Sequence, residues 1–188
     1  VYGLLSIFWI IKHHYRLAGI NFSIYLLLLI KINSPIGLGY QITQGKEQMT
    51  VLQFNVLATN QAYESTIDRV IQLSPDFVSF QATALKEGLA HDYPFSKVVS
   101  NDDASQGIAV FSKHPLIDTE IVDWAGTTNI IGKVKMHEEE INFLALHTRS
   151  PTTRLKWNTR NEHLNIAKEY ISEKKGEFLV LGDFNTVP

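Results

Sequence analysis

Between Phe95 and His147 the chain offers one extended, β-patterned segment after another and no helical stretch. "FSKVVS", "GIAVFSK", "IDTEIVD", "NIIGKVKM" and "EINFLALHT" follow each other directly. A doubly wound parallel sheet needs a crossover helix after every strand, so this run excludes it. Helices are placed only at the two ends. "TVLQFNV" (50–56) reads as a buried strand, and Tyr63, Ile67, Val70 and Ile71 then fall on one helical face. Ser74-Pro75 stops that helix, and "DFVSFQ" (76–81) is extended again. After the strand run, Trp157, Leu164, Ala167 and Ile171 recur at helical spacing, and "EFLVLGDFN" closes as a strand. Consecutive strands between helix-linked ends predict two packed sheets with helices outside.

The first 43 residues differ from the rest. "VYGLLSIFWII" and "LAGINFSIYLLLLI" are apolar runs flanking the basic "KHHYR", and the segment holds Lys12, Arg16 and Lys31 but no acid. A spanning helix needs about 20 mostly apolar residues. The second run reaches that length by extending past Lys31, whose amine can snorkel. The expectation is a transmembrane helical hairpin over 1–43, the alternative being a pair of buried helices. The basic loop would be cytoplasmic and the domain beyond it periplasmic. Residues 44–48 read as a linker, and 49–188 as the main domain.

Without the first three bases, 14 basic residues face 19 acidic ones, a net of −5. That balance does not favour a domain gripping nucleic acid through its backbone. Cysteine is absent, which excludes disulfides and thiolate metal sites.

Several strands end in polar groups: "VLQFNVL" near Asn55, "NFLALHTRS" at His147, "FLVLGDFN" at Asp183 and Asn185. Ligand sites in layered α/β proteins form where strand ends converge. A carboxylate and amides suit a hard cation such as Mg²⁺ better than zinc. Each residue also has a plain structural reading. Asn55 fits a turn, His147 a satisfied structural histidine, and "GDFN" an Asx turn.

"VLQFNVL", "PDFVSFQ", "GIAVFSK", "FLALHT", "TRNEHL" and "FLVLGDFNTVP" together resemble the endonuclease/exonuclease/phosphatase superfamily, in its membrane-anchored bacterial branch. The resemblance implies a four-layer α/β/β/α sandwich, here preceded by N-terminal hydrophobic helices. It implies Mg²⁺-dependent phosphoester hydrolysis, with Mn²⁺ as the alternative ion. The substrate would be a lipid, a small molecule or a nucleic acid. By the family pattern, Asn55 and Asp183 belong to the metal site. His147 contacts the phosphate, Asp183 orients or deprotonates the attacking water, and Asn185 steadies the developing charge. Arg160 and Asn161 fall within reach of the phosphate, the alternative being a solvated helix face.

Two departures qualify that expectation. The family's second strand ends in Gln-Glu, and the Glu is a principal metal ligand; here Gln81 is followed by Ala82. Glu87 lies five residues further on and is not assumed to substitute. The family also supplies a later Asp-His pair, and this chain stops at Pro188 before one appears. The expectation is therefore a partial domain, inactive alone. The competing reading is a catalytically inactive binding module on the same fold. No protein partner is legible.

Overall fold

The structure is a computed structural model, and it describes residues 7, 10–12, 14–33, 48–56, 63–81, 89, 91–99 and 107–186. The chain divides into two compact units, Val1–Glu47 and Gln48–Pro188.

In the first unit, helix α1 (Tyr15–Asn33) covers the second apolar run. Ala18 is buried, whereas Ile20, Phe22 and Ile24 are exposed. Among the described residues no helix is long and apolar enough to cross a membrane. Most of the first apolar run and the linker up to Glu47 lie outside the described residues.

The second unit runs β1 (Val51–Asn55), α2 (Tyr63–Leu73), β2 (Phe77–Gln81), β3 (Phe95–Val99), β4 (Ile108–Ser112), β5 (Leu116–Trp124), β6 (Thr127–Met136), β7 (Glu139–His147), α3 (Arg154–Glu173) and β8 (Phe178–Asp183). They form two four-stranded sheets, ordered β1-β2-β4-β3 and β5-β6-β7-β8. β1 pairs parallel with β2, and β7 with β8; the other pairings are antiparallel. From β4 to β7 the strands follow one another through short connections. In the turn joining β5 to β6, Ala125 and Gly126 both take positive φ, which matches the twist of a two-residue hairpin.

Alternation along the strands sorts side chains between three apolar layers. Phe77, Ile108 and Val110 of one sheet meet Ile130, Val134, Phe143, Ala145 and Leu181 of the other. The Phe77 and Phe143 rings lie 5.2 Å apart across this central layer. On the first sheet's outer face, Val78, Phe80 and Phe111 pack with Val70, Tyr63 and Ile67 of α2. On the second sheet's outer face, Leu144 and Leu146 pack with Ala167, Tyr170 and Ile171 of α3. Helix, sheet, sheet, helix is the four-layer sandwich expected.

The face of α3 departs from expectation. Its buried residues are Arg160, His163 and Ala167, while Trp157, expected on the core stripe, is 42% exposed. The helix begins at Arg154, with Thr153 Oγ1 accepting from the Lys156 amide. Arg160 therefore sits in the second turn. Its face packs against chain that supplies hydrogen-bond acceptors, which is why a guanidinium and an imidazole replace apolar residues there.

Candidate active site

The inward-facing positions of four strands change character toward their C-terminal ends. Along β1 they run Val51, Gln53, Asn55, and along β2 Phe77, Ser79, Gln81. Along β7 they run Phe143, Ala145, His147, and along β8 Leu179, Leu181, Asp183. Apolar residues near the middle of the sandwich give way to polar ones at one end of it. No side chain there can escape to solvent on the outer faces, because period-two alternation keeps it between the sheets.

Asn55 and Asp183 meet at this end. Asn55 Nδ2 donates to Asp183 Oδ2 at 2.7 Å, linking the first sheet to the second. The other carboxylate oxygen, Oδ1, accepts from the Asn185 amide at 2.9 Å. That is the Asx turn which "GDFN" alone suggested, and Asn185 adopts φ +45°, a conformation Asn tolerates. The turn and the interstrand link coexist, so the structural and functional readings of this motif are not exclusive.

His147 stands beside Asp183 in the parallel register of β7 and β8. Burial pushes its imidazole below the ordinary histidine value, and the Asp183 carboxylate offsets part of that shift. The Asn185 side chain turns back onto β7, its Nδ2 donating to the Thr148 carbonyl at 2.7 Å. The Thr148 amide in turn donates to the Asp183 carbonyl at 3.0 Å. Gly182 permits this close seating of β8 on β7. Its φ is +147°, and a Cβ added there would lie 1.8 Å from the Leu146 carbonyl oxygen.

Arg160 and Asn161 reach the site from α3. Arg160 donates through Nη1 to the Asn185 carbonyl at 2.8 Å, and through Nε and Nη2 to Asn161 Oδ1. The pair is engaged with the protein itself, and Arg160 is buried rather than on a solvated face.

Two polar residues that the sequence did not single out, Gln53 and Ser79, join Gln81 here. Gln53 Nε2 donates to Gln81 Oε1 at 2.5 Å, and Gln81 Nε2 to Ser79 Oγ at 2.8 Å. They form a ladder across the inner face of the first sheet, next to Asn55. The signal for them was the same alternation, since each sits two residues from an inward-facing neighbour. Ala82 and Glu87 lie outside the described residues.

The donor chemistry fits a hard divalent cation. The Asp183 carboxylate and the Asn55 amide offer oxygen atoms, and no thiolate exists in the chain. Among the described residues no cluster of three or more His, Cys, Asp or Glu is gathered to hold a metal. One carboxylate with one amide suits Mg²⁺, which keeps several waters and takes further oxygens from substrate phosphate.

Sandwich and site together define an α/β/β/α protein with a carboxylate, an imidazole and amides collected at its strand ends. The family model for the endonuclease/exonuclease/phosphatase family matches residues 52–188, and the chain belongs to that family. Its fold is similar to D. rerio TDP2 complexed with a single-strand DNA product, at 15% identity and TM-score 0.64 over 76% of this chain and 63% of that one. Sphingomyelinase C from Streptomyces griseocarneus matches at 16% identity and TM-score 0.57, over 75% of this chain and 65% of that one. The human Nocturnin catalytic domain with bound sulfate matches at 15% and 0.58, over 74% and 66%. The chain thus spans less than two thirds of these structures. No curated protein sequence matches it.

Proposed function

We propose that the chain is part of a Mg²⁺-dependent phosphoester hydrolase, with Asp183, Asn55 and His147 at its reactive centre. The observation that carries this is the Asn55–Asp183 hydrogen bond between the sheets, with His147 beside Asp183 in register. Asn55 and Asp183 would hold the cation, which neutralises phosphate charge and acidifies a bound water. Each Asp183 oxygen accepts one hydrogen bond in the structure and keeps lone-pair capacity for a water proton. Held at both oxygens, the carboxylate has a fixed direction, which is what in-line attack on phosphorus requires. His147 with its lowered pKa is neutral near pH 7, so it meets a phosphoryl oxygen as an N–H donor. Asn185 uses one amide N–H on Thr148 and has a second for the same charge. The net charge of −5 beyond residue 43 favours a lipid or small phosphoester over a nucleic acid as substrate.

A second reading is carried by Ala82, where the family pattern has a metal-ligating Glu. The fold would then serve as a binding module. The test is Mg²⁺-dependent hydrolysis of bis(p-nitrophenyl) phosphate by the complete reading frame and by its Ala82→Glu variant. Activity in the parent that EDTA abolishes supports the hydrolase. Activity only in Ala82→Glu supports the binding module, and silence from both removes the hydrolase reading.

For location, we propose the periplasm from the basic cluster Lys12–Arg16 between two apolar runs. A reporter fused after Gln48 that is active in the cytoplasm refutes this.

A further inference from the structure

Arg160 is 7% exposed, and among the described residues no carboxylate pairs with it. A buried guanidinium without a counter-ion carries a heavy desolvation penalty. An apolar side chain would fill the same space without that penalty, so hydrogen bonding must account for the residue. All three of its nitrogens donate inside the protein: Nη1 to the Asn185 carbonyl, Nε and Nη2 to Asn161 Oδ1. The flat face of the group lies 5.9 Å from the centre of the Trp157 ring. The hydrogen bonds take three of its five N–H groups, and burial leaves the other two little surface to offer a phosphate.

Its one distant partner among the described residues is the turn that orients Asp183. Asn185 has its carbonyl bound by Arg160, its amide by Asp183 Oδ1, and its side chain by Thr148. Remove the first of these and the left-handed residue at φ +45° loses the contact that opposes its return to the commoner extended or right-handed region. The Asp183 carboxylate would then lose its hold at Oδ1 and keep only Asn55 at Oδ2.

We infer that Arg160 is a positioning residue, and that Asn161 braces it. Its buried guanidinium clamps the Asp183–Asn185 turn from α3, so that one carboxylate oxygen is fixed by the turn and the other is presented to Asn55. Arg160 is not a substrate-phosphate ligand. The catalytic consequence rests on the hydrolase reading; the clamp itself does not.

The test uses the complete reading frame as parent, with Arg160→Gln, Arg160→Lys and Asn161→Ala, and with exposed Arg154→Ala as control. Amide hydrogen exchange at Asn185 is read against Leu144 in β7, alongside kcat and KM for bis(p-nitrophenyl) phosphate with Mg²⁺. In Arg160→Gln, Asn185 protection should fall about tenfold while that of Leu144 holds. kcat should fall about tenfold or more with KM within about twofold, since orientation is lost and binding is not. Lysine can still donate to the carbonyl and should restore part of both, and Arg154→Ala should change neither. A tenfold rise in KM with kcat and Asn185 protection unchanged would make Arg160 a phosphate ligand and overturn the proposal. If the parent does not hydrolyse the probe, exchange alone decides: lost protection at Asn185 upholds the clamp while the hydrolase reading fails, and unchanged protection removes the clamp. If Arg160→Gln does not fold, Asn161→Ala decides by the same amide, where unchanged protection again overturns it.

Discussion

Gly182→Ala tests the seat on which the site is built. The added Cβ would lie 1.8 Å from the Leu146 carbonyl oxygen and 2.8 Å from its carbon, both backbone atoms of β7. An ordinary carbon–oxygen contact needs about 3.3 Å, so β8 must move away by more than an ångström or Gly182 must change conformation. Its φ of +147° belongs to a region essentially closed to alanine, which adds about 1–3 kcal/mol of strain. Parting the Leu146–Gly182 and His147–Asp183 rungs removes one or two ladder bonds at about 1 kcal/mol each. Together these give a destabilisation of roughly 2–5 kcal/mol, or a melting-point drop of about 4–20 °C for a chain of this size. Denaturant titration and calorimetry of the complete protein read it. The same shift carries Asp183 away from Asn55, so hydrolysis should fall about 100-fold even where the variant stays folded. A variant melting within about 1 °C of the parent, with activity retained, would refute the claim that glycine is required here by contact with β7.

Asp183→Asn should lower kcat by about 10²–10⁴ if the carboxylate handles the water proton. It should also cost about 1–3 kcal/mol of stability, because an amide has one acceptor for the two N–H groups now bound by Asp183. Undiminished kcat would remove Asp183 from the reactive centre. His163 predicts a pH dependence. It is fully buried, and its Nε2 donates to Asn129 Oδ1, whose own Nδ2 donates to the Thr127 carbonyl. This leaves Nδ1 as a bare acceptor, without a partner among the described residues. Burial pushes its pKa down to about 4, with Asp123 opposing and His147 reinforcing. The native imidazole stays neutral where the unfolded one protonates, so its stabilisation is complete above about pH 6.5 and falls by up to about 3 kcal/mol toward pH 4. His163→Gln should flatten that fall in urea midpoints taken across the range; parallel curves for both proteins would refute it.

The layers were legible because strand alternation is local. Val78 and Phe80 point one way and Phe77 the other, and no distant residue is needed to see it. Asn55, His147 and Asp183 were legible as strand-terminal polar residues and through the family pattern, although neither route gave the geometry of their meeting. Arg160 and His163 were opaque for a physical reason. A helix's apolar stripe reports its core face only where that face meets apolar neighbours. Here the neighbours are the Asn185 carbonyl and Asn129, brought in by chain 25 and 34 positions away. Trp157 carried a false apolar signal, since it is exposed. The Gln53–Gln81 contact spans 28 positions and has the same character: its members are ordinary residues, and only their pairing is informative.

The bond between Asn55 and Asp183 joins residues 128 positions apart. Closing a loop of that length costs on the order of 4 kcal/mol in chain entropy, and the bond itself returns about 1. It therefore cannot lead folding; it forms after both sheets have docked and their shared core has met that cost. During synthesis, β1 leaves the ribosome long before β8, so Gln53 can meet Gln81 of β2 early, while Asn55 meets Asp183 only once β8 has been made. On the proposed hydrolase reading, activity should accordingly appear late and abruptly in refolding, with recovery of the site lagging recovery of the sheets.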